Sequence, residues 1–449
     1  MIDKIAAFFG IGKRVVSGNR LEAINAIKAA RYDASMVNAT NERHWSIGPQ
    51  TSDPTPEGRK VIRNRARYES ANNAVLYGMI ETYARDLVGS GPHVNFRQYR
   101  ADQKRMTIEY AKWANAVALV PLLKTVTKVY LVDGEAFLVA TDVAPYFRLI
   151  ETERIWSNET NQIPLSLGRF GAPPIGTYVM EGIRYDSGIP IEYCVDGDNW
   201  IPAESMTHWY RQDFANQRRG VSRLAPSLEM FAKVRRIDSA VTTAYETSAK
   251  IALVLESKQL APSELATPWE VVNLTEGSVT TLPDGYGLSQ VKAEHPTTNH
   301  RETAAYFIGS AARCFPMPLN KALGTSQDSN FASGSLDNID YERAIDDDRI
   351  PLTLGPVART RSIFLESQGL PDEDLPVGWD AIPMLNPQSQ FAAIQTKLDM
   401  RLTSRTLEAA KLGYDWLQIE QELQLEDELI SSNGTNTTTG GNDGNAASV

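Results

Sequence analysis

From Leu224 to Ser257 the chain runs 34 residues without a glycine, and its single proline, Pro226, stands near the start. No other stretch limits the possible folds as much. Apolar or small residues recur at Leu224, Leu228, Phe231, Val234, Ile237, Val241, Ala244, Ser248, Ile251 and Leu255. Steps of three and four residues put these positions on one stripe of a helix. Pro226 falls where the first-turn N–H groups have no partner anyway. From Ser227 to Ser257 such a helix would be about 45 Å long, more than a compact domain needs. It reads as a spar within a larger assembly.

The polar turn ahead of it, Trp209 to Arg223, holds Arg211, Arg218, Arg219 and Arg223. Beyond it, Ala261 to Pro296 reads as short strands at Glu270–Leu274, Ser278–Leu282 and Gly287–Val291, with turns at Gly277 and Pro283-Asp-Gly285. Asn299 followed by Glu302 predicts the start of a return helix that ends at Cys314, before Phe315-Pro-Met-Pro318. The pattern is a helix out, a small β module, and a shorter helix back.

The flanks sort by period. Residues 1–57 are a mixed N-terminal arm with a short amphipathic helix at its start and a Pro-rich linker at its end. Arg59 to Val88 is helical with a corner at Asn72-Asn73, and residues 101–120 form another helix. Val126 to Ala140 reads as two strands joined at Asp133-Gly134, a hairpin signal. Further strands are predicted at Tyr146–Ile150, Gly182–Tyr185, Pro190–Val195 and Met206–Tyr210. Residues 319–335 read as a flexible polar loop. Leu336 to Gln368 is helical but divided near Pro351 and Gly355-Pro356. Ser389 to Leu429 returns to helix, split at Leu412-Gly-Tyr-Asp415, and residues 431–449 read as a disordered tail. The fold class expected is α+β, predominantly helical.

With 449 residues the chain has room for several domains, and a net charge of −10 argues against a simple nucleic-acid clamp. Two cysteines, Cys194 and Cys314, cannot build a disulfide framework, which favours a reducing, intracellular setting. No segment is long and apolar enough to predict a membrane span. Charge is unevenly spread. Arg63, Arg65 and Arg67 lie in one basic block, Arg218 and Arg219 in another, and Asp346, Asp347 and Asp348 in an acidic one. Each block reads first as a solvated face. The sharper expectation is complementary contacts between identical subunits.

Nothing reads as catalytic. Gly10-Ile-Gly-Lys13 has Ala7 where a phosphate loop needs its first glycine, and Arg14 where it needs Ser or Thr. Gly220-Val-Ser222 lacks the closing glycine of a nucleophile elbow. Three adjacent carboxylates on a helix point about 100° apart and cannot converge on one ion pair. His44, His93, His208, His295 and His300 show no ligand spacing. No cofactor and no metal are expected.

Four motifs in order carry a resemblance. They are Arg65-Ala-Arg67 through Asn72-Asn73 to Val88-Gly89-Ser-Gly91, then Gln217-Arg-Arg219-Gly220-Val-Ser222, then Ser329-Asn330-Phe331-Ala-Ser333, and finally Leu402-Thr-Ser-Arg405 to Gly413-Tyr-Asp415. Together they resemble the portal proteins of tailed bacteriophages, lambda-like group, although Phe331 stands where that family usually has Tyr. The resemblance implies a ring, usually of twelve subunits, at one capsid vertex, with a central channel for packaging and ejecting double-stranded DNA. Its implied partners are the terminase large subunit, the major capsid and scaffold proteins, and a head–tail adaptor. It implies a wing over 58–223, stem helices over 224–257 and 298–315, a clip over 258–297, a channel loop and kinked wing helix over 316–388, and a crown over 389–430. Lys321, Thr325, Gln327, Asp328, Asn330 and Phe331 would belong to the channel loop, and Lys233, Arg236 and Lys250 would be channel-facing cations of the stem. A net-acidic subunit suits low-friction passage, because Lys/Arg contacts grip phosphates through counterion release. The competing readings are a metal-dependent nuclease at the same vertex and a capsid adaptor that forms no channel.

Overall fold

The computed structural model describes residues 55–99, 102–141, 146–159, 176–214, 217–249, 253–257, 286–290, 297–325, 331–380, 387–412, 414 and 416–435. The N-terminal arm before residue 55, the expected strands within 258–285 and the tail beyond 435 lie outside them.

The chain starts on two helices in series, α1 (Pro56–Asn72) and α2 (Ala74–Val88). Thr55 caps α1 and Pro56 is its first residue, so part of the expected linker is helix start. Asn73 is the corner: its side chain accepts from the N–H groups of Val75 and Leu76, capping α2. After the short strand β1 (His93–Val94), α3 (Gln103–Ala116) ends before the expected limit of 120, and a separate helix, α4 (Leu119–Asp133), begins there. Ala118, in the left-handed region at φ 50°, makes the break.

The hairpin expected at Asp133-Gly134 is absent: α4 runs through the first of its strands. Its buried residues, Leu119, Leu123, Val126, Thr127, Tyr130 and Leu131, keep helical spacing. Its other face is also apolar, with Val120, Leu122, Val129 and Val132 partly buried. A helix apolar nearly all round shows no clear period, and its β-branched residues imitate a strand. Gly134, at φ 92°, is the residue after the helix end that reverses the chain.

Strand β2 (Glu135–Ala140) follows and is the middle of a three-stranded antiparallel sheet between β3 (Phe147–Ile150) and β8 (Met206–Tyr210). A second sheet is a meander of β4 (Thr177–Met180), β5 (Ile183–Asp186), β6 (Ile189–Val195) and β7 (Asn199–Pro202). The alternation of side chains along β2 divides the core. Ala136 and Leu138 join the large helical cluster, while Phe137 and Val139 join a second cluster with Tyr178, Ile183 and Tyr193.

The long helix is α5 (Leu228–Ala249), shorter than expected. Residues Leu253–Ser257, expected as its end, form strand β9, which pairs antiparallel with β10 (Tyr286–Gln290). The return helix α6 (Thr297–Ala312) packs along α5, and His300 meets Asp238 at 3.1 Å. Ile251 to Leu255 fits either period, and only the pairing with β10 selects the strand.

The expected loop over 319–335 begins with a helix, α7 (Leu319–Leu323), ended by left-handed Gly324. Helix α8 (Phe331–Leu352) then continues through a π-helical turn at Thr353–Val357 into α9 (Ala358–Ser367). Gly355-Pro356 sits in that turn, as the proline signal predicts. Strand β11 (Val377–Gly378) pairs with β1. The last helices are α10 (Pro387–Asp399), α11 (Arg405–Lys411) and α12 (Trp416–Thr435). Helix α12 extends into what read as a disordered tail.

Candidate functional site: the polar turn and the long-helix excursion

Glu135 is fully buried at the start of β2. A lone carboxylate there must be paired. Arg219 supplies the pair, with Nε 2.9 Å and Nη2 2.8 Å from the carboxylate oxygens. His208 Nε2 lies 3.0 Å away, and the Gly220 N–H donates at 3.0 Å. Arg219 also donates to the Glu181 carbonyl at 2.6 Å, tying the meander to the first sheet. Burial alone would raise Glu135, but the charge of Arg219 and the hydrogen bonds outweigh it and hold the carboxyl far below its usual range. Burial lowers His208 despite the carboxylate beside it, so its ring is neutral, stacked 4.3 Å from Phe137.

The turn is locked by contact between two glycines. A Cβ on Gly220 would stand 2.1 Å from the Gly134 carbonyl oxygen, and one on Gly134 would stand 2.2 Å from the Val221 carbonyl carbon. Neither position admits a side chain. The Arg223 N–H then donates to the Leu131 carbonyl at 3.2 Å. The Arg223 side chain donates to the Cys314 carbonyl at 2.6 Å and pairs with Asp348, which also accepts from the Tyr83 hydroxyl. One arginine thus joins the foot of α5, the end of α6, α2 and α8.

The expected interface charges divide accordingly. Arg63 bonds Glu153 at 2.8 Å, and Arg67 bonds Asp133 through both oxygens at 2.7 and 2.5 Å. Arg218 stacks over Tyr185 at 4.5 Å, Arg219 is buried, and Asp348 faces Arg223. Asp346 is 3.3 Å from Arg349. Arg65 and Asp347 are exposed. The reading of the blocks as solvated faces is therefore corrected for most members: their partners are distant in sequence, and burial in one subunit engages them.

Lys321, expected on a flexible loop, lies on α7, 3.1 Å from Asp86 and over the Tyr341 ring at 4.3 Å. Thr325 is exposed after Gly324, and Phe331 begins α8. Gln327, Asp328, Asn330 and Lys250 lie outside the described residues. On α5, Lys233 is half-exposed, 3.0 Å from Glu229, and Arg236 is exposed. The α5 residues Phe231 and Val234 are buried, whereas residues 238–240 are exposed, so the helix is anchored by its first half. Among the described residues, no three His, Cys, Asp or Glu side chains gather as metal ligands, and no single helix is long and apolar enough to cross a membrane.

Sequence reasoning missed Glu135, Asp133 and Tyr83, which engage the arginines it singled out, His208 beside Glu135, and Asp86, which holds Lys321. One signal existed: Glu135 is a single acid ahead of an apolar strand, which requires a buried counter-charge.

Residues 39–349, over two-thirds of the chain, match the family described as phage portal protein, lambda family. The chain belongs to that family, and is thereby a portal-vertex protein of the virion. No curated protein matches it in sequence. Among solved structures it is similar to a chain in the neck of a native gene transfer agent particle computed with C12 symmetry, at 13% identity and a TM-score of 0.48, covering 80% of this chain and 94% of that one. It is also similar to an HK97-family phage portal protein from Corynebacterium diphtheriae, at 14% identity and a TM-score of 0.31, covering 58% and 79%.

Proposed function

We propose that copies of this chain close into a ring, twelve in the functional form, around a channel for double-stranded DNA. The family match across residues 39–349 carries the reading. The out-and-back path α5–β9–β10–α6 agrees with a stem and clip, and α10–α12 with a crown. The clip would meet the terminase large subunit and later the head–tail adaptor, and the wing would meet capsid and scaffold. Packaging energy would come from the separate terminase, with no catalysis by this chain. In the stem, Arg236 and Lys233 would make sparse phosphate contacts, too few to hold DNA against translocation.

Negative-stain imaging of the purified protein, with mass measurement, tests this. Rings with a hole wide enough for duplex DNA, at about twelve times 49.7 kDa, are expected. A chain that stays monomeric at every concentration, and in the presence of scaffold protein, would remove the reading.

A further inference from the structure

We infer that the head-to-tail contact of this ring is made by the outer stripe of α8 on one subunit against the outer stripe of α1 on the next, with Asp347 of the first opposite Arg65 of the second. The inference rests on the ring proposed above and assigns its contact surface.

Helix α8 carries two stripes. Asn338, Tyr341, Ile345, Arg349 and Leu352 are buried and face the core. On the opposite side, at 100° per residue, Leu336, Ile339, Arg343, Asp347 and Ile350 fall within one narrow arc that continues to Leu354 in the π-helical turn. Its apolar members are 68%, 44%, 58% and 72% exposed for Leu336, Ile339, Ile350 and Leu354. A helix that faces only water on that side has no use for four large apolar residues in register. At the Ile350 and Leu354 end, the stripe opens on a crevice of about 780 Å³ lined also by Trp379, Ile394 and Leu412.

Helix α1 repeats the design with the opposite charge. Arg59, Arg63, Ala66 and Glu69 are buried, while Val61, Arg65 and Tyr68 lie on the far side. Val61 is 48% and Tyr68 56% exposed.

The charges select the occupant. Asp340 and Arg343 lie 3.6 Å apart and offset each other, which leaves Asp347 as the net charge of the α8 stripe. Glu57 on α1 is followed by Lys60, which leaves Arg65. Among the described residues, neither Asp347 nor Arg65 has an ion-pair partner, although their neighbours Arg63, Arg67, Asp346 and Asp348 all do. Each stripe has apolar residues on both sides of one uncompensated charge, and the signs are opposite. Two different faces on one chain give a heterologous contact, the kind that closes into a ring.

The test uses the full chain as wild type, Arg65→Asp, Asp347→Arg, and the double reversal, compared by mass photometry over a concentration series, with circular dichroism melts as a check on folding. Each single reversal is expected to raise the concentration needed for rings about tenfold or more, because like charges then face each other. The double reversal should recover most of that loss, and melts of unassembled subunits should be unchanged. Crosslinking an Arg65→Cys, Asp347→Cys double variant should give a ladder beyond dimers, whereas either single variant should not. Wild-type rings that persist unchanged in both single reversals, or a double reversal without recovery, would overturn this assignment and leave the ring standing. A wild type without rings would take both down.

Discussion

At the scale of single residues, the chain depends on buried ion pairs between distant segments. Glu135 and Arg219 are both buried, and an ion pair of that kind is most costly to break on one side. Glu135→Gln leaves the guanidinium uncompensated and should destabilise by about 3–5 kcal/mol in urea unfolding. Changing both partners, Glu135→Leu with Arg219→Met, should cost less than that single change, since no buried charge remains. The same cluster sets a pH response. His208 has a folded pKa below its ordinary 6.5, so below that pH the unfolded chain takes up a proton that the fold refuses. Glu135 is also depressed, so its contribution is lost at lower pH still, once the unfolded carboxyl near 4.5 begins to protonate. Melting temperature should therefore fall from pH 7 to pH 5 in wild type. In a His208→Gln variant that first decline should flatten while the decline below pH 4.5 remains.

At the scale of elements, burial is unequal. Helices α2, α4 and α8 each have a buried face in the main core, whereas the segment α10–α12 leaves Phe391, Met400, Leu402, Leu407, Leu423 and Ile430 exposed. Elements with few buried apolar contacts open locally at low cost. In the unassembled subunit, amides of residues 387–435 should exchange with solvent far faster than those of α2 and α4. If the ring forms as proposed, assembly should slow that exchange, and hydrogen-exchange mass spectrometry reads both states.

Across the whole molecule, the net charge of −10 and the pairing of Arg59, Arg63 and Arg67 within the subunit limit the attraction for phosphate. Assembled rings should bind duplex DNA weakly near physiological salt, with a shallow dependence on ionic strength, measurable by filter binding across a salt series. Steep salt dependence would instead indicate a gripping surface and would count against passive conduction.

The sequence by itself determined what depends on local periods and caps. The anchored half of α5, the return helix, the Asn72-Asn73 corner, the division at Gly355-Pro356 and strands β3, β5, β6 and β8 follow from spacing, proline and capping chemistry within a few residues, whereas β4 and β7 were not expected. Motifs in order also made the family legible, and three of the four lie within the matched residues 39–349. The tertiary structure decided what depends on partners far along the chain. Helix α4 could not be told from a strand because both its faces meet apolar neighbours. The end of the long helix became β9 because β10 lies beside it. The arginines read as an outer surface turned inward because Glu135, Asp133, Glu153 and Asp348, up to 125 positions away, stand opposite them in one subunit. A charge block does not show on which side its counter-charge stands, and only the packing of the folded chain resolves that.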